Sequence, residues 1–323
     1  MVSNNIGMNE TSAKYIYLPP SWPDIRFSLY LVGEAFSIPC YLFVFYHLLA
    51  WKAARKTLYN HSIVVVLLFN FISLTIGLPL IVNYSRRGFY VPFNPAICYF
   101  HQFVDYGIWY GAIITMVWLS LERHILIFHS NLVSTARGRL IFHYIPLACV
   151  SLYSPIFYFC IIFIRSCEHN LVATSFLCGG PWYRCPVPAS LSWYMAVCHD
   201  IAPIPLIIVI SGCLLIRVVV QKHRLQRANG WRQNRKMILQ FIFIAATYII
   251  FDLPLVTLTV MRRFGITNFG TNVSTFISPM ANTPAIVISY ATVITLPDLK
   301  QKLRMLIFYK PTQRHVTASV RQT

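Results

Sequence analysis

The segment MVWLSLERHILIF, residues 116–128, places an acidic and a basic residue side by side within an apolar run. Large apolar side chains surround the adjacent Glu122 and Arg123 on both sides. Charged groups are costly in apolar surroundings unless they reach water or a partner. The position of this pair relative to the neighbouring hydrophobic segments therefore decides how the chain is organised.

The composition is that of a membrane protein. The chain has 323 residues, of which 57% are hydrophobic and only 11% are charged, whereas about a quarter of a soluble domain is charged. The net charge is +18, but the basic residues cluster between apolar blocks. That distribution is typical of the flanks of membrane spans rather than of a nucleic-acid-binding face. We therefore expect a lipid bilayer, and no nucleic acid, as a partner.

Seven segments are apolar over the length of about 20 residues that a bilayer-crossing helix needs. Helices suit the bilayer because they satisfy their backbone polar groups internally. The chain is thus predicted to be an all-α membrane protein, a bundle of seven transmembrane helices. The predicted spans are 27–50, 61–83, 96–121, 140–164, 193–219, 237–261 and 272–296.

The spans divide the chain into an N-terminal tail (1–26), a seven-helix domain (27–296) and a C-terminal part (297–323). The tail lacks a basic start followed by an apolar stretch, so the first span is expected to serve as its own insertion signal. In the C-terminal part, Leu and Ile recur at helical spacing between Lys and Arg residues. This pattern predicts a short amphipathic eighth helix at the cytoplasmic surface.

The distribution of Lys and Arg predicts the orientation. With the N-terminus outside, 19 of the 27 basic residues lie on the inner side, as the positive-inside rule requires. We therefore expect a multi-pass protein of the plasma membrane with an extracellular N-terminus and a cytoplasmic C-terminus. Three N-glycosylation triplets, at Asn9, Asn83 and Asn272, then fall on the outer side.

Four of the nine cysteines also fall on the predicted outer side, which is an oxidising compartment. Cys98 lies at the outer end of the third span, and the other three lie in the 165–192 loop. A disulfide from Cys98 would tie this loop over the bundle. Spacing does not identify the partner; we favour Cys178, and Cys185 is the alternative.

The third span resembles that of rhodopsin-like (class A) G-protein-coupled receptors. In that family a bridging cysteine opens the helix, and an acid-Arg-Tyr triplet closes it with the Arg 25 residues later. Here Arg123 follows Cys98 by 25 residues, within the triplet Glu122-Arg123-His124. The chain is identified as a divergent member of this family. The resemblance implies that Arg123 meets a heterotrimeric G protein and that Glu122 holds Arg123 at rest.

Other family positions are matched less completely. Asn70 stands where the family has its sodium-binding Asp, and a neutral amide holds a cation less well. Asp252 stands in place of the sixth-helix Trp. Prolines within helices create bends, so the matched prolines are expected to act as pivots. The predicted pivots and polar core sites are Asn70, Pro79, Pro254, Asn282 and Pro284.

Acidic residues within spans are expected to mark a ligand site. Asp105 lies seven residues after Cys98, where amine receptors of the family place their ammonium-binding Asp. Nearby aromatic rings offer faces to a cation. An anionic cavity of this kind favours a cationic amine or a peptide; alternatively, histidines or backbone groups satisfy the acids. The ligand-binding candidates are Asp105, Trp109, Tyr110, Asp200 and Asp252.

The main alternative to a signalling receptor is a transporter or channel whose acidic residues line a pathway. A retinal-binding pigment requires a lysine in the seventh span, and residues 272–296 contain none. The spans also lack protease signatures and the ligand spacing of a metal site. We therefore expect no enzymatic activity, no cofactor and no metal.

Overall fold

The computed structural model describes residues 22–87, 94–164, 171, 176–179, 188–220, 231–266, 269–270, 273, 277 and 280–295. Within these residues the regular structure is entirely helical. Several predictions fall outside the described residues. These concern the tail up to residue 21, the glycosylation candidates Asn9 and Asn272, the alternative bridging residue Cys185, and the amphipathic helix of residues 297–323.

Six described helices are long and apolar enough to cross a membrane, and a shorter apolar helix follows them. The chain is thus a multi-pass membrane protein, and the predicted helix order is confirmed. The helices are α1 (Asp24–Ala50), α2 (Leu58–Tyr84), α3 (Pro95–Phe128), α4 (Ala136–Ile164), α5 (Ala189–Val220), α6 (Ile238–Arg263) and α7 (Thr283–Ile294).

The end of α3 and the start of α4 extend beyond the predicted spans. α3 continues to Phe128 rather than to residue 121, and α4 begins at Ala136 rather than at residue 140. The apolar windows stopped short because both extensions carry charged residues, such as Glu122 and Arg137. Glu122 binds His143 of α4 inside the bundle, which allows α3 to continue through its polar segment.

The bundle has an apolar core and an apolar exterior. Fully buried side chains from six helices form one continuous core, represented by Tyr41, Leu67, Met116, Ile207, Phe241 and Ile288. Large apolar side chains also cover the outer surface, for example Leu29, Val209 and Ile250. Such an exterior suits lipid tails, because the surrounding hydrocarbon is as apolar as the side chains themselves.

Three of the helices contain a wide turn just before a proline. In a wide, π-type turn the backbone hydrogen bonds reach one residue further than in an α-helix. Proline lacks an N–H and disturbs the preceding turn, so a local widening accommodates it. The three pairs are Ser73–Gly77 with Pro79, Leu140–Tyr144 with Pro146, and Ala196–Ile201 with Pro203.

The described part of the seventh helix begins at a turn that α1 and α3 hold in place. Ala281 and Asn282 form the turn immediately before α7. The Trp109 Nε1–H of α3 donates to the carbonyl oxygen of Ala281 at 3.2 Å. The Tyr41 hydroxyl of α1 donates to the carbonyl oxygen of Ala285 at 2.7 Å. The predicted pivot residues Asn282 and Pro284 therefore lie where the helix is interrupted.

A disulfide joins Cys98 to Cys178, with 5.9 Å between the Cα atoms, and this confirms the favoured pairing. The Gln102 Nε2 amide donates to the carbonyl oxygen of Leu177 at 2.8 Å. Leu177 and Cys178 have φ values of 51° and 54°, in the left-handed region that side-chain-bearing residues rarely adopt. The bridge and the hydrogen bond together hold this short segment against the N-terminal end of α3.

Candidate functional site

A cavity of about 160 Å³ lies between α3, α5 and α6. Apolar side chains line much of it, including Ile113, Ile204, Leu255 and Val256. A mostly apolar cavity with a few convergent polar groups is the usual form of a small-ligand site. Four of the five predicted ligand-binding residues contribute to its lining: Trp109, Tyr110, Asp200 and Asp252.

Asp252 is the unpaired acid of this cavity. Its side chain is 1% exposed, and neither carboxylate oxygen has a hydrogen-bond partner among the described residues. An ionised carboxylate without a partner in such a place carries a large desolvation cost. A cationic group that entered the cavity would offset this cost. Asp252 is therefore the acceptor best suited to an incoming cation.

The second acid of the cavity, Asp200, has a partner within the protein. The Tyr110 hydroxyl of α3 donates a hydrogen bond to Asp200 Oδ1 on α5. Arg263, at the end of α6, also interacts electrostatically with Asp200. The two carboxylates of the cavity therefore differ, since the bundle already holds Asp200 in place.

His199 does not neutralise either acid, because two tyrosines of α4 occupy its ring nitrogens. The Tyr153 hydroxyl lies 2.7 Å from Nε2, and the Tyr158 hydroxyl lies 3.0 Å from Nδ1. Tyr110 stacks on Tyr158 with 5.7 Å between the ring centroids. Sequence reasoning missed these tyrosines, although their spacing in SLYSPIFYF, residues 151–159, places aromatic rings on one side of α4.

Asp105 lies apart from this cavity, within the wide turn Phe103–Ile108 of α3. In a regular helix, residues four apart lie on the same face, so Asp105 would stand directly above Trp109. The wide turn changes that register. The charge of Asp105 instead acts on Tyr158 of α4. The structure thus brings four of the ligand candidates together and leaves Asp105 outside.

Asn70 links α2 to the helix that carries Asp252. Its Nδ2 amide donates to the carbonyl oxygen of Val66 and to the Tyr248 hydroxyl, each at 2.7 Å. Tyr248 precedes Asp252 by one turn of α6. The amide therefore supplies the donors here, whereas an Asp at this position would have supplied only acceptors.

At the other end of α3, Arg123 is completely buried. Its Nη2 donates to the carbonyl oxygen of Tyr59 on α2 at 3.0 Å, and its guanidinium lies 5.4 Å from the centroid of the Tyr59 ring. The Nε and Nη1 atoms have no hydrogen-bond partner among the described residues. Arg123 is therefore only partly satisfied by the protein.

The expected pairing of Glu122 with Arg123 is not observed. Within the described residues, Glu122 forms its ion pair with His143 of α4, whose Nδ1 contacts Oε1. Consecutive side chains on a helix point about 100° apart. Glu122 consequently reaches α4 while Arg123 reaches α2, and the acid has a histidine as its partner instead of the arginine.

His124 completes the triplet by contacting a third helix. Its Nε2 lies 2.9 Å from the carbonyl oxygen of Ile210 in α5 and acts as the donor to it. The three consecutive residues thus bind α4, α2 and α5 in turn. A single stretch of α3 therefore contacts three neighbouring helices at this end of the bundle.

Comparison with known proteins identifies the fold. The sequence matches no protein-family model and no curated protein. The crystal structure of squid rhodopsin is similar with a TM-score of 0.65, over 91% of this chain and 90% of that chain, at 15% sequence identity. This chain has the rhodopsin-like receptor fold. The resemblance inferred from Cys98 and Arg123 is thereby confirmed at the level of the fold.

Within the rhodopsin-like fold, the two sites lie at different levels of α3. Trp109 and Tyr110 contribute to the cavity, and Arg123 lies about four turns further along the same helix. The helix thus provides a direct physical connection between the cavity and the buried arginine.

Proposed function

We propose that this chain is a receptor that transmits the binding of an extracellular ligand to a heterotrimeric G protein. The observation that carries the proposal is Arg123, a buried guanidinium with two unpaired nitrogens on a rhodopsin-like fold. The last carbonyl groups of a helix lack intrahelical partners and carry partial negative charge. The C-terminus of a docking helix therefore presents the acceptors that Arg123 lacks.

The proposed orientation has the N-terminus outside the plasma membrane and the C-terminus in the cytoplasm. The excess of basic residues in the inner segments supports it. Arg123 then faces the cytoplasm, and the Cys98–Cys178 bridge lies outside. Glycosylation of Asn9, Asn83 and Asn272 remains a prediction of this orientation. Of the three, Asn83 is described, and it lies in the last turn of α2.

The proposed ligand carries a positive charge. Asp252 offers two open acceptor oxygens, and the rings of Trp109 and Tyr110 line the same cavity, where they can contact a cation. The volume of about 160 Å³ is smaller than the roughly 300 Å³ of the smallest drug-sized sites. It therefore suits the charged group of an amine or one basic side chain of a peptide.

The proposed mechanism is a shift between two arrangements of α6. A ligand changes this equilibrium only if it binds one arrangement more tightly than the other. A cation at Asp252 would remove the cost of the unpaired carboxylate in the arrangement that closes around it. Pro254 lies two residues further along α6 and provides a point of bending. Movement of α6 would then open the inner side around Arg123.

Coupling can be tested with the full chain in lipid nanodiscs and a panel of purified G-protein α subunits. We expect basal nucleotide exchange with at least one subunit and a loss of about a hundredfold with Arg123→Ala, because the docking donor is gone. Arg217→Ala is the matched control. It removes a basic side chain that lies over the Phe128 ring at the same end of the bundle, and it should retain exchange.

Exchange that persists in a folded Arg123→Ala variant would contradict the role of Arg123. Solute uptake or ion current without nucleotide exchange would instead favour the transporter or channel.

The ligand class can be tested by screening cationic amines and basic peptides against neutral analogues. For any activating cation, we expect Asp252→Asn to weaken binding by about ten- to a hundredfold, the value of a charge-assisted hydrogen bond. Asp105→Asn should have a much smaller effect, because Asp105 lies outside the cavity. A larger loss of binding in Asp105→Asn than in Asp252→Asn would indicate that Asp105 binds the cationic group.

A further inference from the structure

A hydrogen-bonded chain connects α3, α4 and α2 beside Arg123. Glu122 Oε1 binds His143 Nδ1. His143 Nε2 lies 3.1 Å from His61 Nδ1, and His61 Nε2 lies 2.7 Å from the carbonyl oxygen of Arg55. Glu122 and His143 are fully buried, and His61 is partly buried. The carboxylate is therefore anchored, through two imidazole rings, to the backbone that precedes α2.

The number of protons shared by these hydrogen-bonded groups follows from the three contacts. Each contact requires one hydrogen, and the Arg55 carbonyl and an ionised Glu122 can only accept. Two neutral imidazoles together supply two hydrogens, since each carries one N–H. Three simultaneous hydrogen bonds therefore require one additional proton, shared within the group of Glu122, His143 and His61. With this proton present, the group as a whole is neutral.

Charged and titratable groups from all three helices lie next to Glu122, His143 and His61. On α3, Arg123 interacts electrostatically with Glu122. On α2, Tyr59 faces Arg123. On α4, the ring of Tyr144 lies 4.7 Å from that of His143 and 5.8 Å from that of His61, between centroids. Arg123 is thus the permanent cation beside the carboxylate, and it competes with His143 for Glu122.

We propose that His143 is a positioning residue that holds Glu122 on the α4 side and so keeps Arg123 available for docking. This inference rests on the proposed coupling to a G protein. If His143 were removed, the freed carboxylate would find the two unpaired nitrogens of Arg123, because a guanidinium is the strongest nearby donor. His61 supports the arrangement by fixing the His143 ring.

The functional test is a double-mutant cycle on basal nucleotide exchange. We expect His143→Phe to lower exchange by about tenfold, because Glu122 then occupies Arg123. In the Glu122→Gln background the same change should have no effect, since no carboxylate remains to be redirected. His143→Gln keeps a side-chain N–H donor and should restore part of the loss. An equal decrease in both backgrounds would show a merely structural role for His143 and overturn the proposal.

A second readout does not depend on signalling. The purified protein in nanodiscs, labelled with ¹⁵N-histidine, should show His143 resonances that shift in Glu122→Gln and a His61 resonance that shifts in His143→Phe.

If the His143 and His61 resonances do not change in these variants, the hydrogen-bonded connection between Glu122, His143 and His61 does not exist. If no α subunit exchanges nucleotide, the proposed function fails, while the resonances still decide whether His143 holds Glu122.

Discussion

The cavity and the Arg123 site are both buried and carry charged side chains, but they differ in the hydrogen-bonding groups that lack a partner. Among the described residues, Asp252 in the cavity has two unpaired acceptor oxygens; at the other site, Arg123 has two unpaired donor nitrogens, and Oε2 of Glu122 is also unpaired. The neighbouring acids, Asp200 and Glu122, are held by Tyr110 and His143. A buried polar group without a partner costs about 1–3 kcal/mol. In the proposed function, these gaps mark where external partners bind: a cation at one site and carbonyl groups at the other.

The two sites also differ in how the protein holds them. A disulfide secures the segment near the cavity end of α3, whereas the contacts described for Arg123 and its neighbours are hydrogen bonds, an ion pair and ring contacts. In the proposed function, the end of the bundle that opens for a G protein therefore has the weaker attachments. Variants that alter the cavity, the disulfide or the Arg123 site test this difference.

The largest effect is expected from removing the disulfide. The Cys98→Ala/Cys178→Ala variant should lose about 4 kcal/mol of unfolding free energy, because the bridge closes a loop across a sequence separation of 80 residues. Thermal unfolding in detergent measures this change. Cys213→Ala is the control, since Cys213 is an unpaired cysteine on the exposed face of α5. Equal losses of unfolding free energy in both variants would show that the disulfide itself does not stabilise this end of the bundle.

The next effect separates the two acids of the cavity. Without ligand, Asp252→Leu should raise the unfolding free energy by about 2 kcal/mol, because it removes a buried carboxyl group whose two oxygens have no partner among the described residues. Asp200→Asn should lower it by about 1 kcal/mol, because the Tyr110 hydroxyl then donates to a neutral amide. Thermal shifts of the ligand-free protein report both signs. Shifts in the same direction would mean that the two carboxylates are equivalent.

The smallest effect concerns the attachment of α5 to α3. His124→Phe should cost about 1 kcal/mol, because the carbonyl oxygen of Ile210 loses its side-chain donor. His129→Phe is the matched control, since His129 is exposed at the end of the same helix. Unfolding in detergent compares the two. If both variants are equally stable, this end of the bundle is held by packing rather than by this hydrogen bond.

The sequence predicted those features that depend on local properties. Hydrophobic length identified the helices, and the compartment of Cys98 led to the disulfide. The sequence also identified Asp252 as a site residue, because an acid within an apolar span is costly and marks a functional position. These predictions required no knowledge of which helices are neighbours.

The sequence failed where helix rotation decides the outcome. Glu122 and Arg123 are adjacent, but the helical turn directs them to different helices, and His143 comes from 21 residues later. Asp105 has the family spacing from Cys98, yet it lies in a wide turn and outside the cavity. Spacing along the chain predicts a shared face only while the helix keeps a uniform pitch.

The wide turn Phe103–Ile108 also limits which insertions and deletions α3 can tolerate. Deleting one residue there would restore regular α-helical bonding and leave the two ends of α3 in nearly the same orientation, because the wide turn holds one more residue than an α-turn. Deleting a residue from the regular part, Trp109–Phe128, would instead rotate the Cys98 end of the helix by about 100° relative to Arg123 and carry Cys98 away from Cys178. The wide turn is therefore the place in α3 where a one-residue change preserves both the bridge and the orientation of Arg123.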